Sequence, residues 1–215
     1  MSEPKQNWRI FELILGVVLL LTFGISILII GGKDRTITRL NKKIEAIESN
    51  DNLLSIDEYE ASNRKRLKED ISSYIKDRYS RTSTELALEI SKNIMKYSKE
   101  YHVPAELLVG MIEVESMFNP MAVSSVDARG LMQVMPEWVP KFNLHDTSEL
   151  HDIGIGIESG IKVFNIHLEE AKGNVTRALY LYVGKDSEYA SQVYSKIGYF
   201  VTYRGKRRNN HELVK

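Results

Sequence analysis

Apolar and polar positions fall into three regimes along the chain. From Leu13 to Ile30, LILGVVLLLTFGISILII, eighteen residues carry no charge, and Gly31-Gly32 extends the run to twenty. At 1.5 Å rise per residue, about twenty helical residues cross a bilayer core of roughly 30 Å. The pattern predicts a transmembrane helix over 13–32 behind a short tail, 1–12. A cleavable signal peptide has a shorter apolar region and a small-residue cleavage site, and none is evident before Lys33.

Residues 33–82 are polar and rich in charge. Ile37, Leu40, Ile44 and Ile47 recur at three- and four-residue intervals, the mark of a helix with a narrow apolar stripe. The stripe stops at ESNDN before two heptads are complete. It predicts a charged helical stalk or short coiled coil, a place for self-association or for an apparatus partner. Between Leu54 and Arg81, Ile71, Ile75 and Tyr79 are scattered among charges that read as a solvated face.

A third texture begins at Ser83. Ser83 or Thr84 can cap a helix whose Leu86, Ile90, Ile94 and Tyr97 share one face. Pro104 then opens HVPAELLVGMIEVESMF, at a first-turn position that tolerates it. Two more helices are predicted over 154–171 and 175–182, split by KGN, and a last one over about 187–201. Long alternating runs are missing, so 83–204 is predicted to be a mainly all-α domain. A short hairpin could occupy 119–128.

Charge and composition narrow the partners. Lysine plus arginine and aspartate plus glutamate both number 29, giving zero net charge. A nucleic-acid binder usually shows a basic excess, so no nucleic-acid partner is expected. The basic RGKRRNNHELVK stretch, with its tail over 205–215, reads as a disordered, solvated end. Absence of cysteine excludes disulfides, thiolate nucleophiles and cysteine-based zinc sites. The five histidines show no metal-ligand spacing, so no metal and no cofactor is expected.

Candidate chemistry centres on two acids, Glu113 and Glu115. Residues two apart on a helix face different ways. Leu107, Leu108, Met111 and Ile112 mark the buried side, and Glu115 lies four residues past Met111 on that side. Glu113 then reads as a surface charge. Burial disfavours an ionised carboxylate and raises its pKa, which suits a general acid near neutral pH. A helix-terminal glutamate that is exposed or paired is the plainer alternative.

Two spaced blocks, ESMFNPMAVS and ARGLMQVMP, resemble the signature of lytic transglycosylases of the soluble-lytic-transglycosylase (SLT) type, enzymes with a lysozyme-like fold. YHVPAELLVGMIEVES resembles the helix that carries their catalytic glutamate, and a weaker likeness runs through GIESGIKVFNIHLEEAKGNVTRALYLY to about Tyr194. The resemblance implies that Glu115 is the catalytic acid and that Ser116 orients acid or substrate. Gly130, Leu131, Met132 and Gln133 would shape the sugar cleft, Met132 against a sugar face and Gln133 hydrogen-bonding it. Tyr182 would be the tyrosine reaching toward the carboxyl. Three departures affect substrate positioning: Asp127 stands where glycine is common, Val183 replaces an asparagine in the tyrosine block, and an asparagine before the later glycine of GIGIESG is missing.

The resemblance also implies the substrate, peptidoglycan glycan strands. One glutamate protonates the oxygen between N-acetylmuramic acid (MurNAc) and N-acetylglucosamine (GlcNAc), then serves as base toward the muramic 6-hydroxyl, closing a 1,6-anhydro ring. Water is not the nucleophile, so no second carboxylate is required, unlike most glycosidases. The alternatives are a hydrolysing relative of goose-type lysozymes, with Asp127 or another acid activating water, and a catalytically silent peptidoglycan-binding assembly protein. A wall enzyme requires the C-terminal domain to face the periplasm or wall from a single-pass inner-membrane anchor, or to reside in a phage virion or its membrane. The flanking charges argue the reverse: Lys5 and Arg9 precede the apolar run, whereas Lys33, Arg35, Arg39, Lys42 and Lys43 follow it.

Overall fold

Helix ends in this protein are set largely by local side chains. The computed structural model describes Thr38 and residues 56–212. The apolar run at 13–32 and the Ile37–Ile47 stripe lie outside the described residues. Among the described residues, no helix is long and apolar enough to cross a membrane.

Six α-helices occur in this part of the chain: α1 Ile56–Arg78, α2 Thr84–Glu100, α3 Ala105–Ser116, α4 Ile153–Glu170, α5 Val175–Tyr182 and α6 Tyr189–Glu212. Ser83 caps α2 by accepting the Leu86 N–H at 3.1 Å. Asp152 and Asn174 do the same for α4 and α5, accepting from Ile155 and Arg177. Each such cap satisfies a backbone donor that the first turn leaves unpaired. Asp146 and Glu149 form a reciprocal capping box on the short 3₁₀ segment Thr147–His151. The described part is mainly helical, and its only β features are the isolated antiparallel bridges Val123–Arg129 and Arg129–Val134. The first bridge starts at Val123, inside the 119–128 stretch where a hairpin was a possibility, and the second lies beyond that stretch.

α3 is the central element. Nine of its twelve residues are buried and the other three, Glu106, Val114 and Glu115, are half-buried, so none is fully exposed. α6 packs along it, and Gly110 permits the close approach: a Cβ there would lie 2.8 Å from Ile197 Cγ1 and 2.9 Å from the Val193 carbonyl oxygen. α2 lies against both α3 and α4, and α4 carries α5. Leu108, Met111 and Ile112 of α3 share one core with Ile90 and Ile94 of α2, Ile157 and Phe164 of α4, and Val193 and Phe200 of α6.

Two boundaries differ from the sequence reading. Ile71, Tyr74 and Ile75 of α1 are buried in this same core, and the compact unit runs from Tyr59 to Lys215. The charges of 59–82 are therefore not only a solvated stalk face; a sparse apolar stripe among them packs inward. The basic tail is not a loose end either. α6 continues helically to Glu212, with Arg204 paired to Glu106 at 2.7 Å and to Asp70 at 3.4 Å, and Arg207 to Asp70 at 3.4 Å. Local charge density could not reveal these partners, because they lie on α1 and α3.

Two glycines fix the loop that faces α3. Gly130 has φ +77°, and a Cβ there would stand 2.0 Å from the Leu150 carbonyl oxygen. Gly160 of α4 lies on Met132, where a Cβ would meet Met132 Cβ at 2.4 Å. That atom is bound to the backbone and cannot swing aside. Gly160→Ala should therefore destabilise the fold by about 2 kcal/mol through overpacking. Gly198, exposed in α6 with open space around it, should respond oppositely, with Ala adding about 0.5–1 kcal/mol of stability. Chemical denaturation of the two variants reads both signs.

Candidate active site

The last turn of α3 holds both acids, and the chain reverses sharply after it. Met117 and Phe118 take left-handed φ values of 52° and 61°, the Met117 N–H bonding the Glu113 carbonyl oxygen. Such angles are costly for residues with a Cβ, and here Phe118 offsets the cost by burying its ring, 1% exposed, against Tyr79. The chain then passes Asn119-Pro120 and returns through Gly130–Gln133 beneath the helix end.

Ser116 joins these two segments. Its hydroxyl donates to the Leu131 carbonyl oxygen at 2.8 Å and lies 3.2 Å from the Ile112 carbonyl oxygen. It holds the helix end to the loop and does not touch Glu115 by hydrogen bond. Leu131 is 1% exposed and Met132 is wholly buried. Met132 thus underlies the site as packing on Gly160, and its side chain offers no surface to a sugar. Gln133, also left-handed at φ 47°, donates its Nε2 to the carbonyl oxygens of Ala122 at 3.2 Å and Gly130 at 3.1 Å. Its carboxamide therefore fastens the loop and leaves Oε1 for a ligand.

Glu115 sits partly buried above this loop. Its Oε1 accepts a 2.5 Å hydrogen bond from the Tyr189 hydroxyl, at the start of α6. Burial pushes the Glu115 carboxyl up to about 7, against the opposing pull of the Tyr189 hydrogen bond. Tyr189 is itself held well above the ordinary phenol range, first by burial and then by the Glu115 charge, so it remains a donor. Tyr182 stacks on Tyr189 with ring centroids 6.2 Å apart, but its hydroxyl donates to the Met132 carbonyl oxygen at 2.7 Å. The tyrosine that reaches the carboxyl is Tyr189; Tyr182 supports it from behind. Sequence inspection passed over Tyr189, although Tyr189, Val193 and Ile197 are spaced as the inward face of α6.

Glu113 corrects a second expectation. It is not a surface charge: its residue is 1% exposed. Its Oε2 accepts from Tyr74 at 2.7 Å, and its Oε1 from Arg78 Nε at 2.5 Å and Tyr79 at 2.9 Å, with Lys196 Nζ 3.4 Å away. Three of these four partners come from the α1 end and the turn after it. The expectation failed because it assumed a helix with one open face.

Asp127 has φ +64°. This left-handed angle gives a physical reason for glycine at such a position; the Asp127 carboxylate pairs with Arg129 at 2.8 Å. Val183 ends α5, half-buried against the core. Among the described residues, no cluster of acids and histidines is arranged to hold a metal ion. A cleft of about 310 Å³ opens between α1 and α6 around Arg78, Tyr199 and Lys206, and Glu115 is not among its walls. The site's one perturbed acid is Glu115, with burial and a single phenol as the causes of its shift.

Comparison with known proteins gives a consistent result. The profile of the "Transglycosylase SLT domain" matches residues 92–195. A 43-residue stretch is 51% identical to proteins named membrane-bound lytic murein transglycosylase C from Actinobacillus pleuropneumoniae serotype 5b and from Haemophilus ducreyi. The same stretch is 44% identical to the protein of that name from Haemophilus influenzae. In each case it covers 20% of this chain and 12% of the relative. Residues 92–195, with Glu115 inside them, are thus similar to the SLT domain of lytic transglycosylases.

Proposed function

We propose that this protein is a peptidoglycan lytic transglycosylase that cleaves the β-1,4 bond between MurNAc and GlcNAc and leaves a 1,6-anhydro-MurNAc end. The observation that carries the reading is Glu115, a carboxyl held near pKa 7 by burial in a domain of this family. At neutral pH such a group is about half protonated, so it can both give and accept a proton in one cycle.

The two steps use that property in turn. Glu115 gives its proton to the glycosidic oxygen as the bond to the muramic C1 breaks, and GlcNAc departs as an alcohol. The positive charge at C1 is stabilised by the substrate's own N-acetyl oxygen. Glu115, now ionised, takes the proton from the muramic 6-hydroxyl as that oxygen bonds to C1. The ring closes and the acid is regenerated. Tyr189 fixes Oε1 by its hydrogen bond, which leaves Oε2 to carry the proton. Ser116, Gly130, Leu131, Met132, Gln133 and Tyr182 build the floor and wall of the sugar cleft, with Gln133 Oε1 as the group that contacts substrate.

The apolar run at 13–32 supports a membrane anchor that holds the domain on the wall side of the membrane, and relatives are named membrane-bound. A small wall-cutting domain on such an anchor fits local opening of the wall, as in phage entry or a secretion or conjugation apparatus. The charge flanks of the run remain the argument against this orientation.

Mass spectrometry of peptidoglycan digested by the full chain tests the reaction. Anhydro-muramyl ends are expected; reducing ends would make it a hydrolase, and bound but uncut polymer would make it an assembly protein. Glu115→Gln should lower the rate by about 10²–10⁴-fold with the fold intact. The pH profile of kcat/KM should lose activity as pH rises through about 7, since only protonated Glu115 starts the reaction. Tyr189→Phe removes the interaction that lowers the Glu115 pKa, so this alkaline limb should move to higher pH. A limb that moves down, or stays in place, would contradict the role given to Tyr189.

A further inference from the structure

Glu113 and its partners lie beyond what the family assignment explains. Three of those partners, Tyr74, Arg78 and Tyr79, precede the matched residues 92–195. A buried carboxylate with this many donors is a strong local constraint, because each lost partner leaves charge or hydrogen-bonding capacity unmet in a dry site. Tyr74 and Tyr79 are both raised above the ordinary phenol range by burial and by Glu113, Tyr79 to about 12, and so both remain donors to it.

The location of the cluster gives the constraint a use. Glu113 and Glu115 leave the same turn of α3 in different directions. α6 answers both: Tyr189 meets Glu115, and Lys196, about two turns further on, lies beside Glu113. Val193 and Ile197, on either side of Lys196, press on Gly110, where a Cβ would stand within 3 Å of both. α3 and α6 are thus registered at two carboxylates. The α1 end, through Tyr74, Arg78 and Tyr79, locks one of them.

We propose that Glu113, held by Arg78, Tyr74 and Tyr79, is a positioning residue that sets the register of α3 on α6 and thereby the hydrogen bond from Tyr189 to Glu115. By this inference the α1 segment Tyr59–Arg78 and Tyr79 belong to the catalytic machinery, although they fall outside the matched region. It rests on Glu115 being the acid of the proposed reaction.

A thermodynamic cycle on the full chain tests it. The titration of Glu115 is followed by infrared difference spectroscopy, each protein measured against its own Glu115→Gln counterpart. Tyr189→Phe should raise the Glu115 midpoint in the otherwise native protein. In the Glu113→Gln background the same change should have its effect cut to about half or less, because the two sites are coupled. If Glu113 is merely structural, Glu113→Gln lowers thermal stability while the Tyr189→Phe shift is undiminished, and that result overturns the proposal. Should Glu113→Gln fail to fold, Arg78→Lys, which keeps the charge and loses the Nε contact, repeats the cycle under the same criterion. Titration reads the coupling whether or not wall fragments are released, so failure of the proposed reaction and failure of the brace are distinguishable.

Discussion

A carboxyl that keeps its proton near neutral pH must be withheld from water, and the surroundings of α3 follow from that requirement. Burial alone would leave the group mobile and its pKa uncontrolled. Tyr189 supplies one directed contact, and the stacked ring of Tyr182 fixes Tyr189 in turn. The balance between desolvation, which raises the pKa, and the phenol, which lowers it, leaves the group able to act as acid and base in succession. Such a balance is sensitive to small displacements, which explains why the loop below is so heavily fastened. Ser116 ties it to the end of α3, and the Gly130 N–H and the Gln133 carboxamide both tie it to the Ala122 carbonyl oxygen.

Much of this was readable from sequence. The cap at Ser83, the proline before α3 and the KGN break between α4 and α5 are short-range signals, and helices stand where those signals place them. The four-residue spacing to Met111 puts Glu115 on that residue's side of α3, but the same reasoning left outside Glu113, the less exposed of the two acids. What escaped detection shares one property, long separation in the chain. Glu113 meets Tyr74 across 39 residues, and Glu115 meets Tyr189 across 74. Periodicity reports which side of a helix is apolar, but it does not say what will arrive there. On a helix buried all round it gives no means of telling an acid with partners from an acid facing water.

The same limit explains the misread ends of the domain. In α1 three inward residues are spread among many charges, so the apolar stripe is too thin to stand out. At the other end, a run of arginines looks solvated until Asp70 and Glu106 are placed opposite. Both ends meet at α1, which takes Arg204 and Arg207 on Asp70 and gives Tyr74 and Arg78 to Glu113. The first and last helices of the unit therefore close on each other through charges that, taken singly, resemble ordinary surface.

Sealing Met132 beneath Gly160 has a chemical corollary. A thioether oxidised to the sulfoxide becomes polar and no longer fits an apolar seat. Met132 has no exposed surface, whereas Met117 and Met121, in the turn after α3, are each 65% exposed. Among the described residues, those two sulfurs are far more open to peroxide or hypochlorite than Met132. The packing that builds the floor of the site thus also shields its thioether from solvent-borne oxidants.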